Sequence, residues 1–99
     1  MIIAKVVGSI VATTKAEKLT GKKLLIVTPL DMKSIEEDGK PLVAIDTVGS
    51  GVGEVVLVVS GSSARQTEVT TGVPVDAAIV GIVDQIEIQG ALTFTKGGS

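Results

Sequence analysis

Residues 46–65 read Asp-Thr-Val-Gly-Ser-Gly-Val-Gly-Glu-Val-Val-Leu-Val-Val-Ser-Gly-Ser-Ser-Ala-Arg. Three glycines, Gly49, Gly51 and Gly53, punctuate a loop that runs into an almost unbroken apolar strand, which ends at a small-residue turn with Arg65. A phosphate-binding glycine loop opens a helix, whose N-terminus faces the anion. This loop opens a strand, and no Lys-Ser or Lys-Thr follows its last glycine, so a nucleotide cradle is not the reading. Two others stand: a plain structural loop, or one whose missing Cβ atoms let the backbone of a neighbouring subunit come close. The strand after it, residues 54–60, is apolar on both faces, which requires cover on both sides, whether from the core alone or from an interface as well.

Working outward, residues 2–13 alternate as a long first strand, with Gly8 at a bend or bulge. Residues 14–21 are polar and lysine-rich and read as a loop. Residues 23–30 form a second strand closed by Pro29. Glu36-Glu37-Asp38-Gly39 is a turn with glycine at positive φ, which makes the second strand and a third, residues 42–48, a hairpin. A helical turn over residues 62–66, with serine as N-cap, and another over residues 75–78 are expected. Residues 79–89 read as one long fifth strand, broken by Gly90, and residues 92–96 as a last short one. The fold class is therefore all-β: a small, closed, five-stranded OB-like barrel with one or two short helical turns. Residues 1–96 make one domain, and residues 97–99 are read as a flexible tail or an engineering remnant.

Ninety-nine residues suffice for one core. Hydrophobic residues are 44% of the chain while aromatics are 1%, Phe94 alone, so the greasiness is aliphatic and largely β-branched, which suits sheet. Mean hydropathy is +0.53, more than a small barrel easily hides, so part of that surface is expected at subunit contacts. The start of the chain is not a secretory signal, and the apolar run 55–59 is too short for a membrane span.

Most chemistry is excluded by composition. The chain has no His, Cys, Tyr or Trp, which removes the usual general bases near neutral pH, thiol nucleophiles and imidazole or thiolate metal ligands. Ser62 and Ser63 beside Arg65 read as a tight turn rather than a nucleophile. Asp31, Asp46, Glu54, Asp76 and Asp84 match no calcium-loop spacing. A net charge of −2 and a single aromatic provide neither the basic groove nor the stacking platform of a nucleic-acid-binding OB domain. The chain reads as no enzyme, with no cofactor, metal, nucleic acid or membrane partner. A small-molecule-binding barrel without catalysis is the alternative from another class.

The ordered set of motifs resembles one family. Gly8-Ser9-Ile10-Val11-Ala12-Thr13, Gly21-Lys22-Lys23-Leu24-Leu25-Ile26-Val27, Pro29-Leu30-Asp31, Ala44 through Glu54, Gly61-Ser62-Ser63-Ala64-Arg65 and Pro74 through Asp84 are similar to the EutN/CcmL proteins. These are bacterial microcompartment vertex proteins, and the likeness spans roughly residues 1–90. It implies an OB-like barrel forming a ring, usually a pentamer, with a narrow axial pore. The ring occupies the vertices of a cytoplasmic polyhedral shell, where hexagonal shell proteins are its neighbours and five-fold units supply curvature. Carried onto this chain, the resemblance places Gly49, Gly51, Gly53, Glu54 and Arg65 at subunit contacts. It places Ser60, Gly61, Ser62 and Ser63 near the axis, and Thr13 and Lys15 against the hexagonal tiles.

Overall fold

The computed structural model describes residues 1–13, 21–61 and 76–97. Seven strands follow in order: β1 (Ile2–Ile10), β2 (Leu24–Pro29), β3 (Leu42–Asp46), β4 (Val55–Ser60), β5 (Ala77–Ile82), β6 (Gln85–Ile88) and β7 (Ala91–Thr95). The first five close a barrel in the order β1-β2-β3-β5-β4, and β6-β7 form a separate two-stranded arm. All neighbours in the barrel are antiparallel except β3 and β5, which pair in parallel through Ile45↔Ala78 and Asp46↔Ile79. That short seam is reinforced by Thr47, whose N–H (3.3 Å) and hydroxyl (2.7 Å) both donate to the Ile79 carbonyl.

Period-2 alternation decides what fills the barrel. Ala4 and Val6 of β1, Leu25 and Val27 of β2, Ala44 of β3, Val56 and Val58 of β4, and Ala77 and Ile79 of β5 form one buried cluster. Burying each Val, Leu or Ile in full stabilises the fold by about 1.5–3 kcal/mol. The interior is thus filled by small and branched aliphatics, as suits the narrow inside of a five-stranded barrel. The bulge expected near Gly8 is present. Pairing shifts between Val6↔Val27 and Gly8↔Ile26, so Val7 is the extra residue, and Ile26 Cδ1 lies 3.5 Å from where a Cβ on Gly8 would stand.

The double-sided apolar character of β4 is answered within the chain. Val55 and Leu57 point away from the barrel interior and join Ile3, Leu30, Val83, Ile35, Ile86 and Phe94 in a second cluster. Ile86 and Phe94 belong to the arm, so the arm covers the outer face of β1 and β4. A third cluster gathers Ile45, Val59 and Ala78 with Leu24 and Val80 on the outer side of the β3-β5-β4 wall.

Two sequence expectations are corrected. Residues 79–89 are not one strand: β5 ends at Ile82 and β6 begins at Gln85, because the Val83 N–H donates to the Val55 carbonyl at 2.8 Å and the chain then leaves the barrel for the arm. Both pieces keep one apolar face, so the pattern runs on across the change of sheet. The helical turn expected at residues 75–78 is strand at Ala77 and Ala78, since each must serve a barrel face: Ala77 the inside, Ala78 the outside. The other helical expectation, residues 62–66, lies outside the described residues. Among the described residues no helix is long and apolar enough to cross a membrane.

Candidate functional site

The glycine loop joins β3 to β4 and is shaped by two carboxylates, one at each end. Asp46, the last residue of β3, turns its Oδ1 into the loop. It accepts hydrogen bonds from Val48 N (3.3 Å), Ser50 N (3.2 Å) and Ser50 Oγ (2.8 Å). An aspartate bonding the backbone two residues ahead is an Asx turn; here the reach extends to Ser50, which is fully buried. The Asp46 side chain is 3% exposed, and Lys23 Nζ stands 3.9 Å from its Oδ2 while also donating to the Ser50 carbonyl. The buried acid is thereby both hydrogen-bonded and charge-paired, the condition for tolerating a carboxylate away from water.

Glu54 closes the other end. Its Oε1 accepts the Gly51 N–H at 2.8 Å, and its Oε2 lies 3.2 Å from Lys96 Nζ, just beyond β7. The Gly51 N–H first, and the Lys96 ammonium second, hold the Glu54 carboxyl below its ordinary value. The main chain here is tied to β1: Gly53 N donates to the Val6 carbonyl (2.8 Å) and Val6 N to the Glu54 carbonyl (2.9 Å). Gly49 (φ 78°) and Gly53 (φ 95°) take the left-handed conformation that side chains resist. The loop is preorganised, and at its tip Val52 is 67% exposed.

Of the residues the sequence singles out, Gly49, Gly51, Gly53 and Glu54 are brought together in this loop. Ser60 ends β4 and Gly61 follows it, both exposed, with Gly61 at φ 64° and its N–H on the Asp76 carbonyl at 2.8 Å. Thr13 is exposed beyond the end of β1. Ser62, Ser63, Arg65 and Lys15 lie outside the described residues. Sequence reasoning missed Lys23, Asp46, Ser50 and Lys96 as the residues that shape the loop. The Asp-x-x-x-Ser spacing carried a signal for two of them; nothing local marks a lysine that arrives from a distant strand.

A recess of about 250 Å³ lies between barrel and arm beside this loop, lined by Val55, Ile82, Val83 and Phe94 together with Glu54 and Lys96. Asp31, one of the acids considered for metal, is engaged otherwise. Its Oδ2 accepts from Ser34 N (2.9 Å), Ser34 Oγ (3.1 Å) and Lys33 N (3.1 Å), and these bonds, Ser34 first, hold its carboxyl below the usual range.

The barrel and its loops have close counterparts. The model of the family described as ethanolamine utilisation protein EutN/carboxysome matches residues 1–84. The chain is 51% identical over 87 residues to the bacterial microcompartment shell vertex protein GrpN of Rhodospirillum rubrum, covering 88% of this chain and 97% of that one. It is 45% identical over 96 residues to the shell vertex protein EutN of Salmonella typhimurium, covering 97% and 96%. Among solved structures, CcmL of Nostoc sp. PCC 7120 superposes with a TM-score of 0.90 at 42% identity, over 97% of this chain and all of that one. The pentameric microcompartment shell protein GrpN of Rhodospirillum rubrum gives 0.76 at 48% identity, over 89% and 98%. With the match running through nearly the whole chain in both sequence and fold, this protein belongs to the EutN/CcmL family.

Proposed function

We propose that this chain is a structural protein that closes into a cyclic pentamer and caps the vertices of a bacterial microcompartment shell in the cytoplasm. The observation that carries the reading is end-to-end similarity to shell vertex proteins, with a barrel that superposes on a pentameric one. Its partners are four further copies of itself and the hexagonal shell proteins around the vertex. Flat hexagonal tiles cannot close a surface, and a five-fold unit at each corner supplies the missing curvature. The role is non-enzymatic: a chain without His, Cys or Tyr has few groups for acid–base or nucleophilic work. A binding barrel is not favoured, because the interior is occupied by nine aliphatic side chains.

Within the ring, the glycine loop with Gly49, Gly51, Gly53 and Glu54 forms one side of the subunit contact, joined by Arg65. A heterologous ring contact needs two different patches on each subunit, and a preorganised loop loses little entropy when a neighbour docks. Ser60 and Gly61, continued by Ser62 and Ser63, line the axial pore; Thr13 and Lys15 face the hexagonal tiles. Native mass spectrometry tests the reading. Five chains of 10.0 kDa give a species of about 50 kDa for a closed ring, whereas a persistent 10.0 kDa species at micromolar concentration would overturn it.

A further inference from the structure

We infer that Glu54 is a positioning residue that couples the glycine loop to the β6-β7 arm, so that a neighbouring copy meets loop and arm as one rigid body. The inference rests on the ring proposed above and adds how the contact surface is held together. The two oxygens of one carboxylate face two elements far apart in sequence: Oε1 holds the Gly51 amide at 2.8 Å and Oε2 holds Lys96 Nζ at 3.2 Å. The carboxylate stands on a fixed base, because the Glu54 carbonyl accepts Val6 N of β1.

Both coupled elements lack rigidity of their own. A two-stranded hairpin is marginal in water unless it packs on something. The arm packs through Ile86 and Phe94, is tied by Thr93 Oγ1 donating to the Met32 carbonyl at 2.7 Å, and is pinned at its base by Lys96 N on the Asp84 carbonyl and Lys96 Nζ on Glu54. The loop, rich in glycine, would otherwise sample many backbone states. The ion pair is half exposed at Lys96 and 27% exposed at Glu54, so its net energy is small and salt-sensitive. Its consequence is geometric: the carboxylate that bonds the loop is oriented by a cation on the arm.

The test perturbs the arm and reads the loop. Lys96→Met, at a residue on the surface, is compared with wild type, Glu54→Gln, Glu54→Ala and the Lys96→Met/Glu54→Gln double variant. Gly51 amide hydrogen exchange and ring dissociation on dilution, followed by native mass, are measured for each. Coupling predicts faster Gly51 exchange in Lys96→Met and a ring dissociation midpoint raised about two- to five-fold, in keeping with the small energy of a half-exposed ion pair. Glu54→Ala, which loses both bonds, shows the larger change, and the double variant is no worse than its worse single, as for residues acting through one contact. A purely local role at the arm would leave Gly51 exchange untouched. Lys96→Met with wild-type Gly51 exchange and wild-type ring stability overturns the inference. A wild-type chain that never forms a ring sinks the vertex reading instead, while Gly51 exchange still decides the coupling.

Discussion

Asp46 accepts three hydrogen bonds on one carboxylate oxygen while its side chain is almost wholly buried. Replacing it by alanine orphans Ser50 N and Oγ in a fully buried residue and removes the carboxylate paired with Lys23. Asp46→Ala is expected to lower unfolding free energy by about 2–4 kcal/mol, and Asp46→Asn by less because its amide oxygen still accepts. Urea denaturation of the two variants checks the order. Glu54 gives a pH signature. Its folded-state pKa is depressed below the ordinary 4.5, so its stabilisation is complete above the unfolded value and is lost as pH falls through the folded one. Asp31, depressed from 3.8 by its Ser34 bonds, contributes with the same sign. Urea midpoints taken from about pH 6 down to pH 3 should therefore fall less steeply for Glu54→Gln than for wild type.

At the scale of elements, the arm is the informative one. Gln89 (φ 51°) and Gly90 (φ 83°) both sit at positive φ between β6 and β7, the pattern of a type I′ two-residue turn, which favours Asn-Gly. Gln89→Asn is expected to stabilise the arm by up to about 1 kcal/mol, since asparagine tolerates the left-handed region better than glutamine. Gly90→Val has open space for its side chain but carries a backbone cost of about 1–2 kcal/mol. Arm amide exchange should slow in the first variant and quicken in the second. Phe94 seals the outer face of β1 and β4, and because it is only partly buried, Phe94→Ala should cost about 2–3 kcal/mol, below the range for a fully buried phenylalanine.

The whole molecule leaves an aliphatic remainder after its own arm is docked. Ile2, Val7, Val43, Val48 and Val52 stay between 38% and 67% exposed, and scattered exposure of this kind is ordinary in a monomer. What distinguishes Val52 is its place at the tip of a loop fixed at both ends. Val52→Asp should leave the chain's own stability within about 0.5 kcal/mol of wild type, as surface changes usually do, while shifting the native mass from the ring toward 10.0 kDa. An unchanged ring would remove the loop tip from the subunit contact.

Strand content, the bulge at Gly8, the stop at Pro29, the positive φ of Gly39 and the two-sided burial of β4 were all legible in the sequence. Each follows from a local rule, period-2 alternation or the conformational limits of glycine and proline. The motif order carried the family as well. Tertiary structure alone decided the rest. The break at Val83–Asp84 was invisible because both halves keep one apolar face, and alternation records burial without saying which sheet provides it. The second face of β4 was known to need cover; only the folded chain shows the arm supplying much of it. The loop's shape rests on Lys23 and Lys96, each brought to its acid across 23 and 42 residues, and no local pattern encodes a charge pair closed by the fold of the barrel itself.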